Sequence, residues 1–173
     1  SLGIRHRWIG YDTKQYFGRA LVDWMEAQHC FQVDRPDLVL FSNCCPFSSL
    51  AAREYTRLLG IPYMVVEGFV GEYLVRNFAE HLPTLARQYA EARQVVAVSQ
   101  ENLQLLRSRF GLAGSAGQVI HYGRPDTFFA PRNEAVRARL RIELGLPADA
   151  IVCFTAARLA EVKRFDLQIA ALE

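Results

Sequence analysis

Lysine is nearly absent from this chain of 173 residues, since Lys14 and Lys163 are the only lysines among 20 basic residues and the others are arginine. This bias is typical of codon usage rather than chemistry, but it makes a lysine that falls within a motif informative. Long apolar runs are missing as well. Because a helix that spans a membrane needs about 20 consecutive apolar residues, the sequence excludes such a helix.

Neither sign of charge dominates, and the net charge is +2. Basic and acidic residues are mixed throughout, which leaves no basic face large enough to indicate nucleic-acid binding. The four cysteines, Cys30, Cys44, Cys45 and Cys153, lack a CxxC pair and a Cys/His zinc spacing. Vicinal Cys44-Cys45 could be redox-active, although two small residues in a turn is the more ordinary interpretation. We therefore expect reduced cysteines, no metal and a cytoplasmic location.

Short apolar runs alternate with segments of helical period along the chain. Apolar runs bounded by turn residues are typical of buried parallel strands. The predicted strands are 37–42, 63–67, 95–98, 119–121 and 151–156. The predicted helices are 15–28, 48–59, 75–92, 101–110, 134–144 and 163–172, with serine or asparagine caps at Ser48 or Ser49, Ser99 and Asn133 and a glycine end at Gly60. This order predicts an α/β fold with a Rossmann-like parallel sheet and helices on both faces.

The segment 122–131 contains Pro125 and Pro131 and is predicted to be a linker. We expect part of a first Rossmann-like domain over 1–125, a linker and connecting helix over 126–150, and the first strand-helix unit of a second domain over 151–173. One strand and one helix cannot form a core of their own. The second domain is therefore expected to be incomplete within this chain.

In parallel α/β sheets, ligands bind outside the carboxyl ends of the strands. The residues predicted at those ends are Asn43, Glu67-Gly68, Ser99, Tyr122-Gly123 and Ala157-Arg158. Ordinary structural roles compete with function here: a turn for Asn43, a helix cap for Ser99 and a turn for Gly123.

Arg158 and Lys163 form a more informative pair. Arg158 follows the predicted strand 151–156, and Lys163 opens the predicted helix after a short loop. Two cations beside a helix N-terminus are typical of a diphosphate site. The alternative is a pair of surface cations, one of them paired with Glu161 or Asp166.

Several segments resemble those of the family 4 glycosyltransferases, in the family's order and over most of the chain. ARLAEVKRFDLQIAALE at 157–173 resembles the family's GRL-x-x-x-KG-x-D-x-L-I-x-A. VVAVSQENLQLL at 95–106 and VIHYGRPDTFFAP at 119–131 resemble two further motifs, and RPDLVLFSN at 35–43 and LGIPYMVVEG at 59–68 resemble strands of its N-terminal domain.

The resemblance implies a GT-B fold, in which two Rossmann-like domains face a cleft and a nucleotide-diphosphate sugar is held mainly by the C-terminal domain. It implies that Arg158 and Lys163 bind the donor and stabilise its leaving diphosphate, with Gly123 as a further donor-binding residue. Many family members have a histidine at the end of the strand that ends here in Glu67-Gly68. Glu67 is therefore a candidate catalytic residue near the acceptor, and the alternative is a surface or capping role. The acceptor would be a glycan or a lipid-linked glycan, with peripheral contact at the inner face of a membrane. The sequence has no Asp-x-Asp motif, so neither a metal nor another cofactor is expected.

The sequence also departs from the family pattern. Ala157 and Arg164 stand where the family has glycine, and Tyr122 stands where it has asparagine. The family's glycine-rich loop near the start of the N-terminal domain is missing, and so is the E-x7-E segment of its C-terminal domain. We therefore expect an internal piece of a longer enzyme, inactive by itself.

Two other interpretations stay open at this point. A nucleotide-sugar epimerase also uses the GT-B fold, although no acid/base constellation is evident here. A non-catalytic α/β binding module would have no affinity for nucleotides.

Overall fold

The computed structural model describes residues 25–33 and 35–172. The chain divides into two compact units, Ser1–Gly123 and Arg124–Glu173. The first unit contains a β-sheet with its connecting helices, and the described part of the second contains helices and irregular segments.

Among the described residues, four parallel strands form the sheet, and they follow one another in chain order. β1 (Val39–Asn43) pairs with β2 (Tyr63–Glu67), which pairs with β3 (Gln94–Ala97), which pairs with the short β4 (Gln118–Val119). The predicted α/β class with a parallel sheet is confirmed.

One helix precedes the first strand of the described residues, and the other helices follow the strands and continue into the second unit. In the first unit they are α1 (Met25–Val33), α2 (Leu50–Leu58), α3 (Tyr73–Asn77), α4 (Leu82–Glu91) and α5 (Gln100–Arg109), with a 3-10 turn over Ala79–His81. In the second unit they are α6 (Glu134–Glu143) and α7 (Phe165–Ala170), with 3-10 turns over Asp126–Phe129 and Glu161–Lys163. The predicted helix 15–28 lies mostly outside the described residues. No helix in the described part of the chain is long and apolar enough to cross a membrane.

One face of the sheet is more buried than the other along β1 and β2. Burial alternates along β1, where Phe41 is buried and Leu40 is 60% exposed. That helices lie on both faces of the sheet stays a prediction.

The hydrophobic core lies between the more buried face of the sheet and the helices. Phe47 and Phe110 are fully buried in it with their rings 6.0 Å apart, and the partly buried Phe78 packs against Phe47 at 4.9 Å. Val65 and Leu85 are fully buried around them. Full burial of such a side chain contributes about 1.5–3 kcal/mol, so this unit has a core of its own.

Three predicted helix boundaries are confirmed. Ser99 Oγ accepts a hydrogen bond from the N–H of Asn102 at 3.1 Å, and Asn133 Oδ1 accepts one from the N–H of Val136 at 3.0 Å. Gly60 follows α2 with a φ of 65°, a left-handed conformation that glycine adopts without strain.

The start of α2 differs from the predicted serine cap. Ser49 occupies the N-cap position, but its φ is 57° and its side chain makes no capping hydrogen bond. Ser48 Oγ instead accepts a hydrogen bond from the N–H of Cys45 at 3.2 Å. The predicted cap is wrong because the serine hydroxyl closes the preceding loop rather than the helix.

The predicted helix 75–92 is divided into α3 and α4. Helical geometry stops at Phe78, where φ is −135°, and α4 starts anew at Leu82 with Pro83 in its first turn. Proline is tolerated in a first turn, where its missing N–H has no helical partner, but it breaks a helix interior. Pro83 therefore explains the division.

The second unit lacks the predicted strand. No strand forms over 151–156, and Ile151 and Phe154 are 94% and 86% exposed. A strand needs the N–H and C=O groups of a neighbouring strand, and the described part of this unit contains no other strand. The predicted helix 163–172 shortens to α7, which follows the 3-10 turn at Glu161–Lys163.

A polar network at the surface joins α2 to α4. Glu54 on α2 accepts hydrogen bonds from Arg57 at 2.9 Å, from Arg87 at 3.0 Å and from Gln88 at 3.2 Å. Arg57 also lies 3.6 Å from Glu91. The hydrogen bond from Arg57, followed by those from Gln88 and Arg87, lowers the pKa of Glu54 from 4.5 to about 2.

We expect Glu54→Gln to lower the free energy of unfolding by about 1 kcal/mol at neutral pH, the value of a partly screened ion-pair network. The folded-state pKa is depressed, so this stabilisation is present above pH 4.5 and is lost as the pH falls towards about 2. Urea unfolding of both proteins across this pH range measures the difference.

The exposed glutamate Glu101 on α5 provides the control. Glu101→Gln should change stability much less than Glu54→Gln at neutral pH. A Glu54→Gln difference that stays constant down to about pH 2 would contradict the assignment.

Candidate functional site

The carboxyl ends of β1 and β2 meet at the edge of the sheet where parallel α/β proteins bind their ligands. Asn43 lies opposite Glu67 in the register. Beyond them, the N–H of Gly68 donates to the carbonyl of Asn43 at 3.0 Å, and that of Phe69 donates to the carbonyl of Cys44 at 2.8 Å. The pairing of the two strands therefore continues into their loops, which fixes this part of the edge.

The ends of β3 and β4 join the same edge. The N–H of Ile120 donates to the carbonyl of Ala97 at 3.0 Å, and Asn102 Nδ2 lies 3.5 Å from the carbonyl oxygen of Gly68. A Cβ atom added to Gly68 would lie 2.9 Å from the Tyr122 hydroxyl. Of the predicted strand-end residues, the structure thus brings Asn43, Glu67-Gly68 and Tyr122 together.

Beneath this edge lies a buried polar cluster around Glu67. Its Oε1 accepts hydrogen bonds from the hydroxyl of Tyr89 at 2.8 Å and from Nδ2 of Asn43 at 3.3 Å. Nη1 of Arg53 lies 3.7 Å from the same oxygen, and both side chains are fully buried. The guanidinium also lies over the Tyr89 ring, 5.8 Å from its centroid. We call Asn43, Arg53, Glu67 and Tyr89 the buried cluster.

Arg53 connects this cluster to the loop after β1. Its Nη2 donates to the carbonyl oxygens of Pro46 and Ser48, the latter at 3.2 Å. One guanidinium on α2 therefore holds the loop that follows β1 and the carboxylate that ends β2. The loop after β1 and the end of β2 both belong to the carboxyl edge of the sheet.

Burial is the largest influence on the pKa values of Glu67 and Tyr89 in the buried cluster. It raises the pKa of Glu67, while the charge of Arg53 and the hydrogen bonds from Tyr89 and Asn43 oppose that rise. Burial also raises the pKa of Tyr89 well above its usual range, and the Glu67 carboxylate adds to the effect. Tyr89 is therefore a protonated donor.

Compensation of the two buried charges is incomplete. Within the described part of the chain, Oε2 of Glu67 accepts no hydrogen bond, and Nε and Nη1 of Arg53 donate none. An ion pair that is buried without full hydrogen bonding recovers only part of its desolvation cost. The stability of the first unit should therefore depend strongly on the residues of the buried cluster.

The structure places the Glu67 side chain inside the first unit, with no exposed surface. Its proximity to an acceptor stays a prediction, and its contacts give it a structural role. Gly123 has an ordinary φ, and an added Cβ would meet nothing within 4 Å, so neither conformation nor crowding requires glycine there. Sequence reasoning missed Arg53 and Tyr89, which are distant along the chain from Glu67.

Arg158 and Lys163 lie in the second unit, and both are exposed. The other basic side chains of that unit all have partners. Arg132 and Arg137 pair with Glu134, Arg139 with Glu143 and Arg164 with Asp166, while Arg141 donates to the carbonyls of Pro147 and Ala150 and Arg124 lies over the Phe128 ring. In the described residues of this unit, Arg158 and Lys163 are the cations whose side chains have no ion pair, hydrogen bond or contact with an aromatic ring.

The residue after Lys163 has an unusual backbone. Arg164 has a φ of 47° and a ψ of 49°, and its side chain pairs with Asp166 at 2.6 Å. This left-handed conformation favours glycine. The glycosyltransferase motif that residues 157–173 resemble has a glycine at this position. The helix that follows, α7, has six residues.

The described residues contain no group of three or more His, Cys, Asp or Glu side chains arranged to hold a metal ion. The chain matches no known protein-family model. No curated protein is significantly similar to it either.

Proposed function

We propose that this chain is part of a GT-B glycosyltransferase, which moves a sugar from a nucleotide-diphosphate sugar to a glycan or lipid-linked acceptor. Arg158 and Lys163 bind the donor diphosphate. The observation that carries the proposal is the coincidence of two independent properties in these residues. They match the arginine and the lysine of the glycosyltransferase motif that residues 157–173 resemble. They are also the cations that lack partners among the described residues of the second unit.

Partner-free cations suit the chemistry of sugar transfer. The bond between the anomeric carbon and the diphosphate breaks, and its electron pair leaves with the diphosphate oxygen. Fixed positive groups stabilise the charge that develops there, commonly the largest electrostatic contribution to such a reaction. An arginine already neutralised by a carboxylate would contribute less. Transfer with retention of anomeric configuration is an implication of the resemblance.

The backbone at Arg164 also supports the proposal. A left-handed residue directly after Lys163 turns the chain between the 3-10 turn and α7. In the family motif a glycine follows the lysine, and glycine adopts this conformation without strain. The local geometry therefore suits the motif even though arginine replaces the glycine.

Nucleotide titration of the 173-residue chain tests the proposal. We expect UDP, GDP or ADP to bind at least about tenfold more tightly than the matching monophosphate, because the added phosphate gains a charge-assisted contact. Added salt should weaken this binding, since both cations are exposed. Chemical-shift changes in NMR spectra detect even millimolar dissociation constants.

Equal binding of diphosphates and monophosphates would contradict a diphosphate site. Absence of all nucleotide binding would favour the non-catalytic α/β module. Inorganic diphosphate serves as the control that separates recognition of the phosphates from recognition of the base.

A further inference from the structure

Three exposed aromatic side chains lie at the carboxyl edge of the sheet. Phe69 follows β2, Tyr73 opens α3, and Tyr122 follows β4; their exposed fractions are 49%, 52% and 71%. The rings of Phe69 and Tyr73 are 6.4 Å apart between centroids. The Tyr122 hydroxyl lies over Gly68, next to Phe69 in the chain. We call Phe69, Tyr73 and Tyr122 the aromatic patch.

The backbone beneath the patch holds these rings in place. The N–H groups of Gly68 and Phe69 bond to the loop after β1, and Val70 is buried in the core. A Cβ atom added to Gly71 would lie 2.7 Å from Cε1 of Tyr73 and 3.0 Å from Cε1 of Phe69. The rings of Phe69 and Tyr73 therefore pack directly on the backbone of Gly71.

We propose that the aromatic patch is a stacking site for one pyranose ring of a carbohydrate. A pyranose has a face of C–H groups and a rim of hydroxyl groups. Phe69 offers a purely apolar ring, while Tyr73 and Tyr122 add phenolic hydroxyls that donate and accept hydrogen bonds at the rim of a sugar. That this ring belongs to the acceptor glycan rests on the proposed function; the stacking site itself does not.

The size of the patch favours a single sugar over a protein partner. An aromatic side chain has roughly 200 Å² of surface, so three half-exposed ones offer about 300 Å². A stable protein interface needs about 800 Å² from each partner. The size of the patch therefore disfavours a protein partner.

Saturation-transfer NMR with the methyl glycosides of glucose, galactose and mannose tests the proposal on the 173-residue chain. We expect at least one glycoside to receive saturation and to shift the aromatic signals of the patch. Tyr73→Ala should weaken that binding about five- to tenfold, the effect of losing roughly 50 Å² of apolar contact. Gly71→Ala, which displaces two rings without deleting either, should weaken it as well.

Phe129→Ala is the matched control, because Phe129 is a 74% exposed aromatic of the second unit. It should bind the glycosides as the wild type does, and circular dichroism verifies that each variant folds. Glycoside binding that survives in Arg158→Ala/Lys163→Ala would support the patch even if nucleotide binding is never observed. Absence of saturation transfer in the wild type, or unchanged binding in both Tyr73→Ala and Gly71→Ala, would overturn the proposal.

Discussion

Replacing Arg53 with methionine is expected to lower the free energy of unfolding by about 3–5 kcal/mol, the effect of breaking a buried ion pair from one side. The change leaves the Glu67 carboxylate buried without its cation. It also removes the hydrogen bonds from Nη2 to the carbonyls of Pro46 and Ser48. Urea unfolding followed by circular dichroism measures the loss.

The double variant Arg53→Met/Glu67→Gln distinguishes a paired charge from two independent contributions. A neutral glutamine at position 67 can still accept from the Tyr89 hydroxyl, and no charge remains buried. We expect the double variant to lose about 2–3 kcal/mol less than the sum of the two single variants. A sum that is simply additive would show that Arg53 and Glu67 do not interact.

The loss in Arg53→Met should also depend on pH. Burial already raises the pKa of Glu67, and removal of Arg53 takes away the charge that opposes this rise. The folded variant then binds a proton more strongly than the unfolded chain, so its stability falls as the pH rises. The loss should be larger at about pH 8 than at about pH 5.

Arg57→Met is the matched control on the same helix. Arg57 is a partly exposed arginine that pairs with Glu54 and Glu91 at the surface. Its replacement should cost no more than about 1 kcal/mol. A loss as large as that of Arg53→Met would show that burial of the pair is not the cause.

The sheet was predictable from the sequence because its signals are local. Tyr63–Glu67 is a strand with the predicted bounds, since Pro62 precedes it and Gly68 follows it. Ser99 and Asn133 likewise act as the predicted caps through hydrogen bonds that span three residues. Interactions within a few residues of the chain can be inferred without knowledge of the fold.

The buried cluster was not predicted, although part of its signal is in the sequence. Tyr63, Val65 and Glu67 alternate along β2, so the carboxylate shares a face with two core residues. A charge at such a position needs a buried partner. That partner, Arg53, is on a different element, and only the packing of α2 against the sheet identifies it.

A strand was predicted at 151–156 and does not form there, and this error has the opposite cause. Its composition is that of a buried strand, but strand formation depends on a neighbour elsewhere in the chain. The described part of the second unit supplies none. The composition of 151–156 therefore favours a strand that the tertiary structure does not support.

Removing the side chains of Arg158 and Lys163 is expected to weaken nucleoside-diphosphate binding about tenfold for each cation. This estimate is at the low end for charge-assisted contacts, because water and salt screen the exposed groups. The double variant should therefore bind about 100-fold more weakly than the wild type. Stability should change little, since neither side chain has a partner within the described residues.

Arg139→Ala supplies the control for net charge. Arg139 is an exposed arginine of the same unit and pairs with Glu143 at 3.4 Å. Its removal lowers the net charge by the same amount as either single variant. If affinity followed net charge alone, Arg139→Ala and Arg158→Ala would weaken binding equally.

The dissociation constant of the tightest-binding nucleoside diphosphate, measured for the wild type and for Arg158→Ala/Lys163→Ala, is the most direct test of a donor-diphosphate site. A donor site predicts a dissociation constant about 100-fold higher in the double variant, with Arg139→Ala close to the wild type. An unchanged dissociation constant in the double variant would contradict the assignment of these two cations and, with it, the proposed glycosyltransferase.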